Sequence, residues 1–77
     1  MTEILPIEAA QDVLKYFFID KGKNEFGHDF GNMPEFHPEF DVHRESQVFK
    51  DAAEGLGFRV VIEIIDATRI RIKKVSQ

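Results

Sequence analysis

The sequence contains no cysteine and no tryptophan, and only 5 glycines and 3 prolines among its 77 residues. Without cysteine no disulfide can staple the fold, and no thiol can serve as nucleophile, redox centre or zinc ligand. Hydroxyl side chains are scarce too: besides Tyr16 they are Thr2, Ser46, Thr68 and Ser76. His43 and Ser46 are spaced to meet on a helix, but no orienting third group or oxyanion donor can be identified beside them, so covalent catalysis finds little material. No apolar run approaches bilayer-spanning length and no basic-then-apolar leader opens the chain. The expectation is a soluble, cytoplasmic protein with no membrane partner. No repeat, low-complexity tract or family motif is visible.

What the chain has instead is phenylalanine, 8 of them. Its length predicts one small α+β domain over residues 1–77, and a domain of this size buries only about 60–65% of the surface its unfolded chain exposes. The rings must therefore supply much of the core. Charge is uneven: residues 1–57 hold 12 acids and 5 bases (−7), whereas residues 58–77 hold 2 acids and 5 bases (+3). Such asymmetry either lets the two ends attract each other or marks two electrostatically distinct faces.

From Phe58 to Val75 the pattern predicts a β-hairpin. Phe58, Val60, Ile62 and Ile64 alternate with Arg59, Val61, Glu63 and Ile65, and after the turn Ile70 and Ile72 alternate with Arg69, Arg71 and Lys73. A three-residue loop, Asp66-Ala67-Thr68, sets Ile64 opposite Ile70, Ile62 opposite Ile72 and Glu63 opposite Arg71. A two-residue loop would set Glu63 against Ile72 and mix the two faces. A lone hairpin is marginal in water, so a third strand must come from Met1–Leu5, from the middle of the chain, or from a second copy in a homodimer.

Two helices are expected to cover this sheet. Ile7, Ala10, Val13, Leu14, Phe17 and Phe18 recur at helical spacing behind Pro6, predicting a helix from about Pro6 to Lys21 with Gly22 as its left-handed stop. Asp41 can cap a second helix whose Val48, Phe49, Ala52, Ala53 and Leu56 again share one face, ended by Gly55 and Gly57. Between them, Gly27, Gly31, Pro34 and Pro38 forbid a long helix. An acid precedes phenylalanine at Glu25-Phe26, Asp29-Phe30, Glu35-Phe36 and Glu39-Phe40. From Glu35 onward the alternation predicts an extended chain with Phe36, Pro38, Phe40 and Val42 on one side and Glu35, His37, Glu39, Asp41 and His43 on the other.

Three kinds of site compete. The ladder His37, Glu39, Asp41 and His43 offers imidazole and carboxylate ligands suited to zinc, nickel or iron, with His28 and Asp29 available to complete the set. Same-face neighbours on a strand stand about 6.6 Å apart, so adjacent ligands can share an ion but all four cannot without a bend. The plainer reading is a solvated polar face on which His37 and His43 pair with neighbouring carboxylates. Nucleic-acid binding would use Arg59, Arg69, Arg71, Lys73 and Lys74, although the rest of the molecule repels a polyanion and basic strands also serve as a defence against edge pairing.

Protein binding is favoured by two features. Val61 and Ile65 form an apolar strip rimmed by arginines on the hairpin face that the helices leave open. The acid-Phe segment 25–43 offers Glu25, Asp29, Glu35, His37, Glu39 and Asp41 to a basic partner, with some rings as anchors and most in the core. The expectation is thus an α+β fold, with two helices packed on one face of a small antiparallel sheet containing the hairpin Phe58–Val75. Its expected role is a non-enzymatic protein-binding module of the inhibitor, immunity or adaptor kind, requiring no cofactor. Nucleic-acid binding through the basic strand and metal binding at the ladder are the alternatives.

Overall fold

The computed structural model describes residues 6–75. Helix α1 (Ile7–Lys15) leads into a π-helical turn (Tyr16–Asp20), followed by strand β1 (Glu25–Asp29), a short helix α2 (Met33–Phe36), the long helix α3 (Val42–Gly55), and strands β2 (Val60–Ile64) and β3 (Arg69–Lys74). The strands make one antiparallel sheet in the order β1-β3-β2, with the helices packed on one face. This is the expected α+β architecture. No helix among the described residues is long and apolar enough to cross a membrane.

The hairpin takes the register its side chains demand. Ile62 pairs with Ile72, Glu63 with Arg71 and Ile64 with Ile70, and Ile65 N–H donates to Arg69 O at 3.0 Å, leaving Asp66-Ala67-Thr68 as the loop. The third strand comes from the middle of the chain, since β1 pairs Phe26 with Ile72 and His28 with Ile70. The alternative source, Met1–Leu5, lies outside the described residues. β3 is therefore central, and its Ile70 and Ile72 are completely buried beneath the helices.

Both predicted helices form, each with an informative end. Lys21 N–H bonds to Tyr16 O at 2.9 Å, an i to i+5 bond that widens the last turn after α1. The adjacent Phe17 and Phe18 then both reach Phe26: Phe17 stacks on it at 4.2 Å, and Phe18 meets it edge-on at 5.2 Å. The exit of α3 is a Schellman motif, in which Phe58 N–H donates to Ala53 O (2.8 Å) and Gly57 N–H to Glu54 O (3.1 Å). Gly57 takes φ +85°, which any side chain would strain. The entry is capped as expected, Asp41 Oδ1 accepting from His43 N–H at 3.0 Å.

The segment after β1 departs from expectation. Glu35–His43 is not an extended ladder: Met33–Phe36 is helical, His37 N–H closes that turn on Met33 O (2.8 Å), and Phe40 N–H bonds to His37 O (2.9 Å). The period of two in this stretch was coincidental, because Pro34 suits the first turn of a helix and starts one here. Phe36 and Phe40 consequently do not share a face; Phe36 is exposed, whereas Phe40 packs on Phe30 with ring centroids 5.2 Å apart.

Candidate interaction surface

The candidate partner-binding residues divide between two places. Glu35, His37, Glu39 and Asp41 lie on the corner built by α2 and the loop into α3. Glu25, Asp29, Val61 and Ile65 lie on the sheet face opposite the helices, as does the cationic set Arg59, Arg69, Arg71 and Lys73.

The corner is pinned from beneath. Phe30 is buried, its N–H extends the β1–β3 pairing to Thr68 O at 2.7 Å, and its ring touches both Phe40 and Phe49. Asp29 Oδ1 accepts from Gly31 N–H at 2.7 Å, turning the chain away from the sheet. On this base Met33 packs inward and Phe36 projects, with 73% of its surface exposed, the most open large apolar side chain among the described residues. Glu35 and Glu39 are exposed nearby, and Glu39 Oε2 stands 3.6 Å from His37 Nδ1. Of the acid-Phe pairs, Phe26 and Phe30 fill the core and Phe40 is half-buried, so this segment offers one outward ring, Phe36.

The open sheet face is a mosaic. In register, Glu25 lies beside Lys73, Gly27 beside Arg71 and Asp29 beside Arg69, while β2 contributes Val61 beside Lys73 and Glu63 beside Arg71. Each cation that the central strand turns to this face thus has an acid beside it on one edge, from β1 for Lys73 and Arg69 and from β2 for Arg71. Arg69 is also held by the turn: its Nε lies 2.7 Å and its Nη2 2.6 Å from Asp66 Oδ2. That hydrogen bond lowers the Asp66 pKa and raises that of Arg69. A polyanion would meet a face already largely neutralised, and Lys74, on the helix side, lies over the rings of Phe58 (5.4 Å) and Phe18 (5.7 Å). Val61 and Ile65 remain 57% and 45% exposed.

The ladder proposed for a metal does not converge. Asp41 is committed to capping α3, His43 lies in the first turn of that helix, and His37 faces Glu39 across the preceding loop. Among the described residues, no group of three or more histidines and acids stands close enough to hold an ion.

Two residues gain roles that the sequence reading did not assign. Gly27 opens a depression of about 250 Å³ on the sheet face, lined by Asp29, Ile65, Arg69 and Arg71. His28 points to the helices, half-buried between Phe30 and Phe49 at 4.7 and 5.1 Å, and burial lowers its pKa against the opposing pull of Asp29. Its alternation with Phe26 was the available signal, obscured by the glycine between them. In comparisons with known proteins, the chain matches no protein family, no curated protein and no solved structure at a significant level.

Proposed function

We propose that the chain is a non-enzymatic protein-binding module that meets a partner of basic surface through the α2 corner, in the manner of a small inhibitor, immunity or adaptor protein. One observation supports this reading above the others: Phe36 stands 73% exposed on a corner whose neighbouring rings are packed inward. Burying such a ring in a partner's pocket contributes about 1.5–3 kcal/mol, comparable to a strong interface anchor. Glu35, Glu39 and Asp41 around it supply the charge that steers and orients a cationic surface. The anchor rests on a base fixed by Phe30 and Phe40, so little ordering cost accompanies docking.

The test is a photo-crosslinking amino acid placed at position 36 in cells, with Lys50 on the outer surface of α3 as the control position. A single protein adduct formed at 36 and absent at 50 is expected. In binding to that protein, Phe36→Ala and the pair Glu35→Lys with Glu39→Lys should each weaken affinity by at least about tenfold while leaving the circular dichroism spectrum unchanged. Equal labelling at the two positions would remove the proposal.

A further inference from the structure

We propose that two copies of the chain associate through the outer edge of β2, pairing antiparallel about a twofold axis so that their sheets become one. This interface is independent of the α2 corner. β3 covers one side of β2, and no described strand covers the other. The bonds from Ile65 N–H to Arg69 O (3.0 Å) and from Val75 N–H to Arg59 O (2.7 Å) show that the odd-numbered residues of this strand direct their backbone groups at β3. Val60, Ile62 and Ile64 therefore direct theirs outward, where a further strand would bond. Devices that blunt a natural edge are missing: Val60–Ile65 holds no proline, glycine or lysine, and Glu63 is its only charge.

The side chains select the register. With Val61 on the axis, Val60 of one copy faces Ile62 of the other on the helix side. Arg59 then faces Glu63 on the open side, twice by symmetry. With Ile62 on the axis, Val61 would face Glu63 and Arg59 would face Ile65. Centring on Val60 would set Arg59 against Val61, and centring on Glu63 would bring two like charges together. Only the first arrangement matches charge to charge and apolar to apolar. Arg59 and Glu63 are exposed and enter none of the ion pairs among the described residues, so both are available. Val61, 57% exposed, is the side chain that the axis buries.

The absence of cysteine makes the register directly testable on the full chain. Val61 and its symmetry mate form a non-hydrogen-bonded antiparallel pair with Cα atoms about 4.5 Å apart, within disulfide reach. Val61→Cys should therefore crosslink to a dimer under mild oxidation faster than Glu63→Cys or Ile65→Cys. In sedimentation equilibrium up to about 0.5 mM the unmodified chain should be dimeric. Arg59→Glu or Glu63→Arg alone should weaken association at least about tenfold, and the double exchange should restore it to within about threefold. A monomer at every concentration, a dimer indifferent to the charge exchange, or fastest crosslinking at position 63 or 65 would each overturn the proposal.

Discussion

The imidazole of His28 lies against the ring of Phe49 with centroids 5.1 Å apart, on the one face of β1 that the helices cover. Burial there drives its pKa below the ordinary 6.5, and the adjacent Asp29 carboxylate opposes the drop without cancelling it. Folding thus selects the neutral ring, while the unfolded chain takes up a proton more readily. The stability that follows is complete above the ordinary value and is lost as pH falls through the lower folded one. Urea midpoints should therefore drop between about pH 7.5 and pH 5.5. His28→Phe should remove that part of the slope while keeping the packing. Parallel slopes for the two proteins would show that this histidine titrates as it does in the open chain.

Phe36 and Phe49 are the same residue type with opposite duties. Phe49 is fully buried, whereas Phe36 is 73% exposed. Phe49→Ala should cost about 3–5 kcal/mol from lost transfer energy and cavity formation, which a chain this small cannot spare. Phe36→Ala should change stability by no more than about 0.5 kcal/mol. Thermal melts of the two variants check this, and a large loss at Phe36 would place that ring in the core and end its candidacy as an anchor.

Asp41 is the one acid of the corner whose structural duty is visible. Its side chain accepts from His43 N–H at the start of α3, so Asp41→Ala should cost about 1 kcal/mol while Asp41→Asn, which keeps the acceptor, should cost much less. Chemical denaturation measures the difference. Charge reversal at Asp41 would therefore confound binding with folding, and Glu35 and Glu39 are the sites at which to test electrostatic recognition.

The parts of the molecule legible beforehand are those where one local period decides the structure. Alternating isoleucines with an odd loop leave the hairpin a single register that separates polar from apolar, and Ala10, Leu14 and Phe18 could face only one way on a helix. β1 was obscured because Gly27 interrupts Phe26 and His28, and it becomes a strand by pairing with β3 rather than by its own propensity. The Glu35–His43 ladder failed for the converse reason. Its alternation carried no β-branched residue before Val42, and Pro34 favoured a helical turn that broke the extended path, leaving only His37 and Glu39 of the ladder side by side. The candidate site shared that fate: its residues were named, while their division between corner and sheet face depended on tertiary packing.

Asp66 orders the hairpin loop through several bonds, accepting from Thr68 N–H at 3.0 Å and from Arg69 Nε at 2.7 Å. The arginine bond, followed by that from Thr68, holds its carboxyl below the ordinary 3.8. A depressed carboxylate stabilises the fold above the unfolded value and loses that contribution as pH falls through the folded one, so the loop should loosen on acidification. Asp66→Asn should produce the same loosening at neutral pH, because the neutral amide accepts more weakly from the guanidinium. Arg69→Lys retains the charge but gives up the fixed planar donor, and should reproduce much of the effect. Amide hydrogen exchange at Ile65 and Thr68 reads this locally: faster exchange in both variants, with Ile72 unchanged, is expected. Unchanged protection at the loop would mean that the isoleucine pairing alone sets the turn.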